Sequence, residues 1–223
     1  MAECAVSLWS ADLGNLESEV KKMNQYADYF HIDVGDGYYT PSLLFFPDLT
    51  GTLRKVSQRP FEIHVMAERP ERIVDSFIGN GADIIDIHPE SFRDPVAELK
   101  LIRDSGLKTG IVISLQSDTE KMMEYLATGL VDMCVCLGQT IGCKGKDPDP
   151  RVYETIGMMR KFIDEKKLDV RVEADGGIRE YTVEKLVQNG ADVLVPGSLA
   201  FKTDYTKMMP WLHSLKKATY GKR

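Results

Sequence analysis

The sequence predicts one α/β domain, a (β/α)₈ barrel of the TIM type spanning residues 1–223. Three observations point there. Short apolar runs alternate with longer amphipathic segments eight times along the chain, and eight strand–helix units close a parallel barrel. The length suits one such domain. An Ala-Asp or Val-Asp pair also precedes every second strand: Ala27-Asp28, Ala82-Asp83, Val131-Asp132 and Ala191-Asp192. Two copies extend further, as Asn80-Gly81-Ala82-Asp83 and Asn189-Gly190-Ala191-Asp192. Their spacing, roughly 50–60 residues, is that of two ~30-residue strand–helix units. An open doubly wound sheet would want a GxGxxG turn after the first strand, and Ser7-Leu8-Trp9-Ser10-Ala11-Asp12 offers none.

In chain order, strands are expected near 4–9, 28–33, 61–65, 83–88, 109–114, 131–137, 170–174 and 192–196. Asn15 is placed to cap a helix whose Leu16, Val20 and Met23 share one face. Pro70 and Pro95 stand where a first helical residue tolerates proline, the latter after a capping Asp94. Ser117 to Glu120 reads as a capping box.

Composition narrows the function. With 43% hydrophobic and 28% charged residues the chain can bury a substantial core. A net charge of −6 argues against nucleic-acid binding, so any phosphate must be met by local donors. No apolar run reaches the ~20 residues of a membrane span, and Met1-Ala2-Glu3-Cys4 lacks a signal peptide's basic and apolar regions. Four cysteines are no disulfide framework for this length, so a reducing, cytoplasmic location is expected.

Strand parity locates the chemistry. Phe30 and Ile32 oppose Tyr29, His31 and Asp33; Phe61, Ile63 and Val65 oppose Glu62, His64 and Met66; Val170, Val172 and Ala174 oppose Arg171, Glu173 and Asp175. The apolar sets must cover helices, which turns the polar sets toward the axis. Charge there is costly unless paired or metal-bound. His31, His64 and His88 fall near strand ends, where barrel active sites sit, and His213 in the last helix. Taken singly, an inward histidine need only hydrogen-bond a carboxylate. Several converging with carboxylates suit a divalent ion with nitrogen and oxygen ligands, and His31 and Asp33 can reach the same ion. By the same parity, Cys134 and Cys136 are assigned to the axis side of strand six, as apolar filling; with Cys143 they lack zinc spacing. Asp175-Gly176-Gly177-Ile178 and Pro196-Gly197-Ser198 place glycines after strands seven and eight, where barrels commonly bind phosphate.

With these residues in place, the chain resembles the ribulose-phosphate 3-epimerase family, which includes allulose-6-phosphate epimerases, from about Val6 to Phe201. The matching segments are Ser7 to Asp12, His31-Ile32-Asp33-Val34-Gly35-Asp36-Gly37 with Pro41, His64-Val65-Met66, Ile87-His88-Pro89-Glu90, Glu173-Ala174-Asp175-Gly176-Gly177, and Gly197-Ser198 with Phe201. The resemblance implies one divalent metal ion (Zn²⁺, Fe²⁺, Mn²⁺ or Co²⁺) ligated by His31, Asp33, His64 and Asp175. It implies that Asp33 and Asp175 are the catalytic acid/base pair, exchanging a proton at C3 of a ketose phosphate through a metal-stabilised cis-enediolate. Substrate contacts are implied for Ser7, Met66 and Gly176, and phosphate contacts for the backbone at Gly177, Gly197 and Ser198. The substrate is expected to be ribulose 5-phosphate/xylulose 5-phosphate or a related pentulose, hexulose or tetrulose phosphate. A homo-oligomer is the usual expectation.

Two departures stand out. Of the family's three methionines over the enediolate only Met66 is present, with Gly35 and Cys136 assigned to the other places. The family's N-P-G-F-G-G-Q after strand six is here Gly138-Gln139-Thr140-Ile141-Gly142-Cys143-Lys144-Gly145, within a loop over 138–149. Lys144 and Lys146 there either assist an anionic substrate or are simply solvated. Three rivals remain. A ketose/aldose-phosphate isomerase would also pass through an enediolate. An aldolase or decarboxylase would need a strand-end lysine or a D-x-K-x-x-D motif, neither of which is found. A sugar-phosphate sensor would not need both carboxylates and both histidines.

Overall fold

A computed structural model describes residues 1–217 and closes eight parallel strands, in sequence order, into a barrel; the expected domain's residues 218–223 lie outside the described residues. The strands are β1 (Glu3–Ser7), β2 (Tyr29–Gly35), β3 (Phe61–Met66), β4 (Ile84–Ile87), β5 (Lys108–Ile113), β6 (Met133–Leu137), β7 (Arg171–Asp175) and β8 (Val193–Leu194). Between them run α1 (Leu16–Met23), α2 (Pro47–Leu53), α3 (Glu71–Ile78), α4 (Pro95–Asp104), α5 (Thr119–Leu126), α6 (Arg151–Lys166) and α7 (Val183–Gln188), with α8 (Ser198–Phe201) and α9 (Tyr205–Ser214) after β8. No helix among the described residues is long and apolar enough to cross a membrane.

The helix starts refine the expected caps. Asp94 accepts from the Ala97 N–H ahead of Pro95, as expected. Asn15 occupies the N-cap position of α1, but its amide bonds Asp12, whose carboxylate serves Gly14 N–H. Pro70 is the N-cap of α3, not its first helical residue. The cap of α5 is Asp118, which accepts from Glu120 and Lys121 N–H groups, while Ser117 turns back to Ser114. Carboxylates win these positions because an anion on free helix N–H groups is favoured over a neutral side chain.

Two apolar clusters follow from strand parity. Val6, Phe30, Ile63, Ile85, Ile111, Val172 and Leu194 pack outward against helices, together with Val20, Phe77, Leu99 and Ile156. Ala5, Ile84, Val112, Met133, Val135, Leu137, Val193 and Val195 fill the barrel. Cys134 and Cys136 belong to the outer cluster, which corrects the axis-side assignment. Both faces of β6 are apolar, so parity had no polar residue to orient it. The register decides: Val135 pairs with Glu173 and Leu137 with Asp175, both axis-facing. Leu137 therefore holds the place assigned to Cys136.

The sequence repeat has a structural cause at the lower rim. Each repeat aspartate precedes an even strand and grips the preceding odd strand twice. Its N–H donates to the carbonyl of Cys4, Phe61, Thr109 or Val172, and its carboxylate accepts the N–H of that same residue at 2.7–2.9 Å. The carbonyls of Asp83, Asp132 and Asp192 accept N–H groups of Lys108, Arg171 and Glu3, tying in the following strand. A basic group from a nearby helix backs each carboxylate: His213, Arg54, Arg103 or Arg160. Asp132→Ala should lower the unfolding free energy by about 1–3 kcal/mol, the cost of orphaning a strand N–H. Arg103→Ala removes only a partly exposed partner and should cost less than about 1 kcal/mol. Urea midpoints at unchanged slope measure both.

Candidate active site

At the C-terminal strand ends, β2 and β3 run in register, with Asp33 beside His64. That register, and the alternation that sends Phe30 and Ile32 to the helices, turns His31, Asp33 and His64 inward; β7 adds Asp175. His31 Nε2 lies 3.4 Å from Asp33 Oδ1 and 4.0 Å from Asp175 Oδ2. His64 Nδ1 lies 3.4 Å and 3.8 Å from the same two oxygens.

These four residues fit a divalent ion. All four donor atoms lie within 4.8 Å of one another. His31 Nε2 and His64 Nδ1 are buried and have no hydrogen-bond partner, although both face the shared space. A tetrahedral ion with ligands at ~2.0–2.2 Å holds those ligands roughly 3.3–3.6 Å apart, close to the spacings here. The outer nitrogens are also engaged. His31 Nδ1 is 2.9 Å from Glu62 Oε2, and His64 Nε2 is 2.9 Å from His88 Nε2. With the proton on each outer nitrogen, both inner nitrogens present lone pairs, the usual arrangement behind a metal-bound histidine. Ser7 Oγ donates to Asp33 Oδ2 at 3.0 Å, leaving Oδ1 for the centre.

Below lies a denser set of acids. Glu62, Asp86 and Glu173 are fully buried, and Glu62 Oε1 and both oxygens of Asp86 and of Glu173 lack partners. Burial, reinforced by the Glu62 charge, pushes the Asp86 and Glu173 carboxyls well above the usual range. Asp33 and Asp175 are driven apart. Burial alone would raise Asp33, but His31 and His64 hold it far below its ordinary value. Burial and then the Asp33 charge raise Asp175 despite the same histidines. Burial opposes a charge on His31, yet Asp33 and Glu62 raise its pKa well above normal. Burial and then His64 depress His88.

Above the four residues opens a cavity of about 490 Å³. Ser7, Asp33, His64, Met66, Asp175, Gly176, Gly177, Gly197 and Ser198 all line it, so the structure brings the expected site residues together; His31 is buried just beneath. Trp9, Ser10, Leu137, Lys144, Arg179 and Lys202 line it as well. Arg179 and Lys202 are not legible as site residues in the sequence, since isolated basic residues carry no periodic signal. Gly177 has φ of 74°, and a Cβ there would run into Pro148 of the 138–149 loop, so glycine is required. The place of Gly35 is filled by main chain: a Cβ would stand 2.5 Å from the Ser42 carbonyl.

Comparison with known proteins shows the family. The profile of the Ribulose-phosphate 3 epimerase family matches residues 3–201. A ribulose-phosphate 3-epimerase of Escherichia coli (strain K12) is 32% identical over 213 residues, covering 94% of each chain. That of Bacillus subtilis (strain 168) is 31% identical over 203 residues, covering 90% of this chain and 93% of its own. Among solved structures, 3-hexulose-6-phosphate synthase from Salmonella typhimurium superposes with TM-score 0.68 at 15% identity, covering 96% of this chain and 98% of its own. Phosphoribosyl anthranilate isomerase from Thermococcus kodakaraensis gives 0.63 at 14%, over 96% and 99%. These two likenesses concern the fold.

The metal-free protein is expected to take up one divalent ion per chain, with loss of at least about tenfold in affinity in His64→Ala. His31 must be neutral to bind, and its raised pKa means it gives up its proton only at higher pH. Affinity should therefore rise with pH through that value, with proton release on binding. Calorimetry in buffers of different ionisation enthalpy measures both; pH-independent uptake, or full affinity in His64→Ala, would contradict the site.

Proposed function

Because the chain belongs to the ribulose-phosphate 3-epimerase family, we propose that it is a metal-dependent isomerase that inverts C3 of a phosphorylated ketose. The observation that carries this is the pair Asp33 and Asp175, two carboxylates with opposed pKa directions beside one cluster of imidazoles in one cavity. His31, Asp33, His64 and Asp175 would hold the ion. When bound, a divalent cation would supply the Lewis acidity that makes the hydrogen on C3 removable near neutral pH.

The remaining steps belong to side chains. Asp33, ionised and held by Ser7, is suited to take the C3 proton. Removal leaves C2 and C3 in one plane. Asp175, the carboxyl with the raised pKa, is suited to return a proton to the other face, and the centre inverts. In the reverse reaction the roles exchange. Met66, Leu137 and Val195 form an apolar part of the lining, which keeps bulk water from quenching the planar species. Main-chain groups at Gly176, Gly177, Gly197 and Ser198 take the phosphate and fix the sugar's direction.

Incubating four- to six-carbon ketose phosphates in D₂O with and without chelator tests the reaction. Chelator-sensitive deuterium at C3 is expected. Deuterium at C1 would instead indicate an aldose–ketose isomerase, and binding without exchange a sensor. Asp33→Asn and Asp175→Asn should each lower kcat about 10²- to 10⁴-fold. Retention of full exchange in either variant would remove the two-carboxylate mechanism.

A further inference from the structure

The loop over 138–149 is a tethered cover. Ser42 Oγ donates to the Gly142 carbonyl at 3.3 Å, Gln139 Nε2 and Arg179 Nη2 donate to the Lys146 carbonyl, and Tyr181 bonds Asp147. Gly142, with φ of 70°, lies against Thr40, where no side chain would fit. The tethers separate the two loop lysines. Lys146 gives only its carbonyl, whereas Lys144 crosses the cavity mouth to β1's end. There Lys144 Nζ donates to the Trp9 carbonyl at 3.0 Å and sits 4.6 Å above the indole ring.

Two further cations line the same cavity. Arg179 Nη1 donates to Ser198 Oγ at 2.9 Å, and Lys202 follows α8. Among the described residues Lys144 and Arg179 donate to main-chain carbonyls and the Ser198 hydroxyl and not to a carboxylate, and Lys202 forms no salt bridge, in a chain of net charge −6. Burial and then the neighbouring Lys202 charge lower the Lys144 pKa, partly offset by Asp33. The cavity is thus bipolar, with carboxylates and imidazoles at its floor and unpaired cations at its mouth. A neutral sugar gives three such cations nothing to neutralise; a phosphate monoester does.

We propose that Lys144, Arg179 and Lys202 form a side-chain clamp for the substrate's phosphate, with Lys144 as the movable member that exchanges the Trp9 carbonyl for the anion. This rests on the epimerase reading and adds to it a source of specificity: the charge that selects a phosphorylated ketose comes from three side chains at the cavity mouth, one of them on the cover. Trp9 loses its ammonium when the anion arrives, so its emission reports the exchange.

The test uses the metal-loaded full chain with Trp211→Phe, so that Trp9 alone fluoresces, and inorganic phosphate as probe. Saturable change in Trp9 emission is expected. In Lys144→Met the change should vanish and phosphate affinity fall about 10- to 100-fold, the loss of one charge-assisted contact. Lys202→Met should weaken phosphate while keeping the Trp9 signal, and Lys144→Arg should restore most of the affinity. Metal stoichiometry and circular dichroism of Lys144→Met should match the parent, since the residue is exposed in a loop. With ribulose 5-phosphate, or whichever ketose phosphate the parent exchanges, Lys144→Met should raise KM by a similar factor with a smaller change in kcat. Phosphate affinity within threefold of the parent, or an unchanged KM, would overturn the clamp while leaving the epimerase reading intact. Lys144-dependent phosphate binding without C3 exchange on any ketose phosphate would sink the epimerase reading and leave the anion site standing.

Discussion

His31 stands between two carboxylate systems, and most of the upper barrel is arranged around that position. Its Nε2 faces Asp33 and Asp175, while its Nδ1 lies 2.9 Å from Glu62 and 3.6 Å from Glu173. A fully buried imidazole among four carboxylates cannot be neutral toward both sides at once. Burial and the neighbouring carboxylates push Asp86 and Glu173 toward their protonated forms, and Asp33 and Glu62 favour a charge on His31 against its burial. With an ion present, His31 would need only one proton, on Nδ1, and Glu62 would orient it. The buried acids therefore hold the ring in one direction and set the charge that the centre must receive.

Much of this was legible in the strands. Alternation in β2, β3 and β7 placed Asp33, His64 and Asp175 on the cavity side because each of those strands carries one apolar and one polar face. The same reasoning failed for β6, where Cys134 and Val135 are equally apolar and only pairing with β7 settles which faces the axis. Helix starts were legible to within a residue: a nearby carboxylate displaced Asn15 and Ser117 from the capping role, and single-position patterns do not record that competition. The repeat before every second strand was visible, but its cause was not, since a carboxylate gripping a strand N–H is a tertiary relation.

The cavity mouth was the least readable part. Arg179 and Lys202 are isolated cations in turns, and the sequence leaves Lys144 open between an anion contact and a solvated loop lysine; Trp9 beside it is a tertiary neighbour. No periodicity constrains such residues. Their meaning comes from three loops meeting over one opening, which follows from barrel closure and from the tethers at Ser42 and Arg179.

The aspartate grips described at the lower rim bear on how such a protein can change over generations. They fasten strands at the end opposite the cavity, and none shares a side-chain partner with the cover. Replacements in the cover are thus decoupled from the fastenings that keep the barrel shut. A lineage can retune which sugar it accepts by rewriting a dozen or so residues without drawing on the reserve that holds it folded.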